Sequence, residues 1–159
     1  MSRGQKGSRS DFSHDIGILH GRIELRAKDP RFLRIFRDAV RRPPTTVSKI
    51  TTVRSVVLSN HPTTTTVGLT RYSDRKLLMV LSRPRQTITF YTDLLNALSD
   101  KAAEAVIAHE LAHAWLNEHV RPEESKEREA EADRLARQWG FGPELDALDS
   151  EAETVQSSG

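Results

Sequence analysis

Apolar residues recur at helical spacing in the first part of the chain. These positions are Phe32, Ile35, Phe36, Ala39 and Val40. Residues three and four positions apart share one face of a helix, and an Asp followed by Pro is typical of a helix start. The pattern therefore predicts an amphipathic helix of about three turns between Asp29-Pro30 and Pro43-Pro44.

Two further helices are predicted in the second half of the chain. One begins after Ser99, which is a favourable N-cap, and runs to about Asn117. Apolar residues cover most of its circumference, so we expect this helix in the core. The other runs from about Glu124 to Trp139 and ends at Gly140.

Runs of β-branched residues separate the first helix from the other two. They cover residues 53–58, 64–69, 77–81 and 87–91. Short runs of this kind, divided by Asn, Pro, Ser and Asp, predict a small, mostly antiparallel sheet. Strands followed by helices indicate an α+β fold, in which the run at 87–91 is a candidate edge strand for an extended peptide.

Composition limits the chemistry that the chain can perform. The 159 residues are 36% hydrophobic and include no cysteine, so a bound metal needs His, Asp or Glu ligands. We expect one domain at residues 14–141, a flexible basic arm at 1–13 and an acidic, disordered tail at 142–159. No apolar run has the length of a membrane span, and no secretory signal is recognisable, so a cytoplasmic location is expected.

Charge is distributed unevenly along the chain. Residues 1–100 hold 18 Lys and Arg against 8 Asp and Glu, whereas residues 101–159 hold 6 against 14. The polar face of the first helix carries Arg31, Arg34, Arg37, Arg41 and Arg42. The uneven charge indicates a nucleic-acid or other acidic partner for the basic part, or attraction between the two parts of the chain. The arginine face either contacts phosphates or is a solvated face.

The core helix carries the sequence His109-Glu110-Leu111-Ala112-His113. Two histidines four residues apart point the same way, which allows both imidazoles to reach one zinc ion. Glu110 is rotated by about 100° from His109, so it stands beside the metal as a base rather than among the ligands. The alternative is a pair of buried, hydrogen-bonded histidines, each of which needs a polar partner.

A catalytic zinc ion usually has three protein ligands and one open position, so a third ligand is expected. His119, Glu129 and Glu131 are the candidates. Glu129 shares a face of small residues with Asp133, whereas Glu131 lies on a polar face, so Glu129 is favoured. Asp133 is placed to accept a hydrogen bond from a ligand histidine and fix its tautomer.

These two motifs resemble the HExxH…ExxxD signature of the gluzincin metallopeptidases. Residues 88–95 are similar to the strand and turn before the active-site helix in HtpX and CAAX prenyl protease relatives, and the nearest match is their soluble minimal form, the minigluzincins. The ImmA/IrrE regulatory proteases show a similar pattern that ends in Asn instead of Asp133. The resemblance covers about a third of the chain, and it implies a minimal zincin fold with the sheet packed against both motif helices.

The resemblance also implies a role for each residue. Zinc would be held by His109, His113 and Glu129, with Glu110 as the base and Asp133 supporting His109. After Glu129 the chain has no His or Tyr to serve as the family's usual oxyanion stabiliser, and the candidate substitutes are Arg134 and Arg137.

The sequence thus predicts a zinc-dependent endopeptidase. A metal-activated water would hydrolyse peptide bonds of a peptide or protein substrate, with Glu110 as general base and no membrane partner. Two alternatives stay open: a non-catalytic zinc-binding regulatory module, and a nucleic-acid-associated protein with a basic N-terminal face.

Overall fold

A computed structural model of the chain describes residues 24–42, 50–59, 68–73, 85–119 and 125–157. Its elements are β1 (Glu24–Arg26), α1 (Pro30–Arg41), β2 (Val53–Ser59), β3 (Gly68–Ser73), β4 (Arg85–Tyr91), α2 (Thr92–Asn96), α3 (Asp100–His119), α4 (Ser125–Ala136), a π-helical turn (Arg137–Phe141) and α5 (Gly142–Ser157). Helix and strand are mixed, and helix predominates. The basic arm at 1–13 and the predicted strand at 77–81 lie outside the described residues.

The four strands form one mixed sheet in the order β1-β2-β4-β3. β1, β2 and β4 are parallel, and only β3 is antiparallel to its neighbour β4. The prediction of a mostly antiparallel sheet is therefore wrong. For β1 and β2 the connection explains the difference, because α1 lies between them and a helical crossover allows neighbouring strands to run parallel. β4 lies inside the sheet, so the prediction that residues 87–91 form an edge is also wrong.

The predicted helix after Asp29 is confirmed as α1. The Asp29 carboxylate accepts hydrogen bonds from the backbone N–H groups of Arg31 at 2.8 Å and Phe32 at 3.0 Å, which caps the helix start. On the buried face, the Phe32 ring lies 5.7 Å from Phe36 and 5.4 Å from Phe90 of β4, measured between ring centroids. These contacts fix α1 on the sheet.

α3 is the central helix and is contacted by α1, α4, α5 and the sheet. Six of its alanines are buried: Ala102, Ala103, Ala105, Ala108, Ala112 and Ala114. Small side chains allow neighbouring helices to approach closely, so α3 can be surrounded on most sides. The predicted core helix is confirmed, and it continues through Asn117 to His119.

The acidic segment after residue 141 is a helix, not the disordered tail that we expected. Phe141 is fully buried and Leu145 is 4% exposed, so the segment has an apolar face that packs against α3. Arg42, just after α1, contacts Glu144 at 2.7 Å and lies 4.7 Å over the Phe141 ring. Gly140 interrupts the predicted helix, as expected, but a further helix follows. Its φ of 94° turns the chain just before α5 begins.

We predict that Gly140→Ala lowers the free energy of unfolding by about 1–2 kcal/mol, because an L-residue is strained at positive φ. Open space surrounds the position, with no atom within 4 Å of the point that an alanine Cβ would occupy, so the loss comes from the backbone alone. Gly142→Ala is the matched control, since Gly142 has a helical φ of −54°. It should be neutral or stabilising by up to about 1 kcal/mol. Urea unfolding measures both, and equal effects would contradict the prediction.

Candidate metal centre

Two helices bring three side chains of the predicted site together. His109 and His113 lie one turn apart on α3, and Glu129 lies on α4. The two imidazole Nε2 atoms are 2.9 Å apart, and the Glu129 carboxylate lies 3.1 Å from His109 Nε2 and 3.2 Å from His113 Nε2. The ligand-type atoms of all three residues fall within 4.8 Å of one another. A single ion could contact all three.

Small residues on α4 explain why Glu129 faces the imidazoles. Ala132 and Ala136 are fully buried, and α4 packs against α3. Glu129 and Asp133 share the face of these alanines, because residues three and four positions apart are neighbours on a helix. The sequence correctly predicted that this face of small residues would pack.

Asp133 contacts the far side of the His109 ring. Its Oδ1 atom lies 2.7 Å from His109 Nδ1. A carboxylate accepts hydrogen bonds, so Nδ1 carries the proton and Nε2 presents its lone pair to His113 and Glu129. Metal-binding histidines commonly have such a partner, which fixes the tautomer and the ring orientation.

The donor set fits a zinc ion. With His109 in this tautomer, its Nε2 and both Glu129 oxygens are acceptors, and the His113 ring can supply at most one hydrogen to them. Two imidazole nitrogens and a carboxylate are ligand types that catalytic zinc sites use. Two nitrogen ligands at about 2.0–2.1 Å from a tetrahedral zinc ion are about 3.3 Å apart. The two Nε2 atoms are 2.9 Å apart, which is about 0.4 Å less than this value.

Burial favours the neutral form of His113. Burial, and to a smaller extent the neighbouring His109, lower the pKa of His113 below its ordinary value, while Glu129 opposes this shift. A neutral imidazole is the form that binds metals. The His113 side chain is 13% exposed, whereas that of Glu129 is 63% exposed, so solvent reaches the group from the α4 side.

Glu110, the predicted base, is a buried residue of α3. It follows His109 directly and is therefore rotated by about 100° around the helix. It does not belong to the group formed by His109, His113 and Glu129.

The other two candidates for the third ligand lie elsewhere. α3 runs without a break to His119, and ten residues of helix place His119 about 15 Å along the axis from His109. The His119 ring stacks on Trp115 with 4.4 Å between ring centroids. Glu131 forms an ion pair with Arg134 in the next turn of α4. Of the three candidates, only Glu129 joins the two imidazoles.

The two arginines considered as oxyanion stabilisers contact other carboxylates. Arg134 lies 3.5 Å from Glu131, and its side chain is 69% exposed. Arg137 lies 2.7 Å from Asp146 of α5, and this contact is the main reason that the pKa of Arg137 is raised.

Three polar residues behind the site were not predicted from the sequence: Gln86, Asn117 and Arg128. Asn117 lies one turn after His113 on α3, and Arg128 immediately precedes Glu129. The spacing of four residues from a ligand-type histidine is a signal that could have identified Asn117. Gln86 points inward from β4, on the same face of the strand as buried apolar residues.

Residues 80–125 match peptidase family M48. The matched range contains His109, Glu110 and His113 and ends before Glu129. M48 peptidases are zinc metalloproteases, so the match supports a metallopeptidase of the zincin type, a hydrolase of peptide bonds. No curated protein and no solved structure matches the chain. Among the described residues, no helix combines the length and the apolar character needed to cross a membrane.

Three arginines at α1 pair with carboxylates of the fold itself. Arg31 and Arg34 lie 2.8 and 2.6 Å from Asp100 of α3, and Arg42 lies 2.7 Å from Glu144 of α5. Arg31 also donates to two backbone carbonyls, one near the end of α2 and one in the connection from α2 to α3. Pairing within the fold accounts for these arginines, and the nucleic-acid interpretation gains no support.

We predict that Glu129→Ala removes most of the zinc affinity, because it deletes one of three converging ligand-type groups. Glu131→Ala is the matched control on the same helix and should leave the affinity nearly unchanged. Chelator competition with the purified protein measures both. Loss of zinc in Glu131→Ala, or in His119→Ala, with zinc retained in Glu129→Ala would contradict this assignment.

Asp133→Ala should have an intermediate effect. His109 would keep its place on α3 but lose the partner that fixes its tautomer, and such losses typically lower metal affinity or activity by about 10–100-fold. The same chelator competition measures the change. An affinity equal to that of the wild type would show that the contact between Asp133 and His109 does not matter to metal binding.

Proposed function

We propose that this chain is a zinc-dependent endopeptidase in which His109, His113 and Glu129 hold the metal. The observation that carries the proposal is the convergence of two Nε2 atoms and one carboxylate within 4.8 Å, on a helix with the HExxH spacing. The M48 match over residues 80–125, which includes the same HExxH motif, supports the peptidase activity. The closer resemblance to minigluzincins, HtpX and the CAAX prenyl proteases is part of the same proposal.

Each residue then has a chemical task. When bound, zinc would supply Lewis-acid activation of water and of the scissile carbonyl. Glu110 would accept the proton of the attacking water and later donate it to the leaving amine. Asp133 would keep the proton of His109 on Nδ1, so that Nε2 stays available as a ligand.

An extended substrate fits beside β3 better than beside β4. In the sheet formed by the described strands, β3 is an edge strand, and it contacts α3, which carries the histidines. Edge strands bind extended peptides through main-chain hydrogen bonds, with little demand on peptide sequence. We therefore propose that the substrate runs along β3, Gly68–Ser73.

A non-catalytic zinc module is the second candidate function. It is favoured by the ion pairs of Arg134 and Arg137, which are made with Glu131 and Asp146 and not with a residue of the ligand group. A metal-loaded wild type that never cuts a peptide would support it.

We predict that Glu110→Gln keeps one zinc ion per chain and abolishes hydrolysis, because an amide cannot accept the proton of water while the three ligands remain. Hydrolysis of an unfolded protein, followed by mass spectrometry, measures activity, and elemental analysis measures zinc. Glu131→Gln is the matched control, since it makes the same chemical change outside the ligand group and should leave both unchanged.

Two results would contradict this proposal. Normal turnover by Glu110→Gln would show that another group is the base. Loss of zinc in Glu110→Gln would show that Glu110 holds the site together instead of serving as a proton acceptor.

A further inference from the structure

A chain of side-chain hydrogen bonds joins the sheet to α4 behind the metal centre. It starts at Gln86 of β4, which is fully buried. Gln86 Nε2 donates to the Ala114 carbonyl at 2.8 Å and to Thr52 Oγ1 at 2.6 Å. Gln86 Oε1 accepts from Asn117 Nδ2 at 3.0 Å, and Asn117 Oδ1 accepts from the Arg128 guanidinium. The chain therefore passes from β4 through α3 to the first turns of α4.

The direction of every bond in this chain is fixed. The Ala114 carbonyl can only accept, so Gln86 must turn its NH₂ group toward it and its oxygen toward Asn117. Asn117 must then present its NH₂ group to Gln86, which leaves its oxygen facing α4. Only a donor can satisfy that oxygen, and the Arg128 guanidinium is a donor and never an acceptor.

Among the described side chains in the N-terminal half of α4, Arg128 is one of the few that are not exposed. Glu127, Glu129 and Ala130 are exposed, and the buried stripe of α4 begins only at Ala132. Arg128 is half-buried and reaches α3, so it ties down the turn that carries Glu129. Its partner Asn117 lies one helical turn beyond His113. The bond between Asn117 and Arg128 therefore helps to fix the distance between His113 on α3 and Glu129 on α4.

We propose that Gln86, Asn117 and Arg128 are positioning residues that hold Glu129 at its place opposite the two imidazoles before metal binds. The inference rests on the proposed metal centre and adds to it a source of preorganisation. A ligand that is already in place loses less conformational freedom when the ion binds, so affinity rises. Supporting residues of this kind commonly change metal affinity by about 10–100-fold.

The decisive measurement is the zinc affinity of Arg128→Met beside Arg134→Met. Both variants replace an arginine on α4, but Arg134 is 69% exposed and contacts only its own helix among the ion pairs of the described residues. We expect chelator competition to show about a 10–100-fold loss for Arg128→Met and no change for Arg134→Met. Arg128→Lys, which keeps a donor for Asn117, should recover part of the loss.

Cobalt(II) gives a second readout that a general structural role would not change. The visible absorption of the cobalt-loaded protein depends on its ligands. At saturating cobalt, the spectrum of Arg128→Met should move toward that of Glu129→Ala, because the carboxylate is no longer held near the imidazoles. The spectrum of Arg134→Met should match the wild type.

A double-mutant cycle tests whether the residues act through one another. Asn117→Ala alone should lower zinc affinity about as much as Arg128→Met, and the double variant should lose no more than either one, since both break the same chain. If Arg128→Met does not fold, the zinc affinity of Asn117→Ala alone tests whether the hydrogen-bond chain positions Glu129. Losses that simply add would overturn the proposal.

The remaining outcomes are distinct. Equal zinc affinities for Arg128→Met, Arg134→Met and wild type, or a loss of metal-free stability in urea without loss of affinity, would overturn the positioning role and leave the proposed peptidase intact. A wild type that binds zinc but cuts no peptide would remove the proposed activity and leave the positioning role intact. A wild type that binds no zinc would overturn both.

Discussion

The contact between α3 and α4 is made by small side chains, and the candidate metal centre depends on that contact. Ala132 and Ala136 are fully buried against a helix that is itself rich in buried alanine. Helices with small residues at their contact approach closely, so that functional side chains beside the contact on one helix can reach those on the other. His109 and His113 on α3 therefore face Glu129 on α4 at separations suited to one ion.

α3 is held at both ends, which keeps its two histidines in a fixed place. At its start, Arg31 and Arg34 bind Asp100. Near its end, the Glu118 carboxylate accepts hydrogen bonds from the backbone and side chains of Thr51 and Thr52, and these bonds together lower its pKa against the opposing effect of burial. A site on a helix fixed in this way is more precise than one on a loop.

Charged residues inside the fold bind the acidic and basic parts of the chain to each other. Arg42 lies between Glu104 of α3 and Glu144 of α5, at 3.1 and 2.7 Å. Burial raises the pKa of Glu104, with a further contribution from Glu144, while Arg42 opposes the shift. One arginine thus contacts two carboxylates, of which that of Glu144 is buried and that of Glu104 is half-buried, and the contact links the end of α1 to α3 and α5. The uneven charge along the sequence thus has a structural use within the protein.

Local patterns in the sequence determined several helices and one half of the candidate site. Helix caps and periodic apolar residues act over a few positions, so α1 and α3 could be predicted with useful bounds. The HExxH spacing likewise places His109 and His113 on one side of a single helix. The face of small residues around Glu129 was also a local property of α4.

Only the tertiary structure decided the strand directions, the order of the strands in the sheet and the helical structure of the acidic C-terminal segment. β1 has three residues, too few for a pattern, so the β1-α1-β2 unit that makes the sheet largely parallel could not be found from periodicity. α5 is acidic, and it is held in place because Leu145, together with Phe141 just before the helix, packs into the hydrophobic core. The chain from Gln86 to Arg128 spans 42 positions of sequence, and hydrogen bonds between such distant residues arise only when packing brings their helices and strands together.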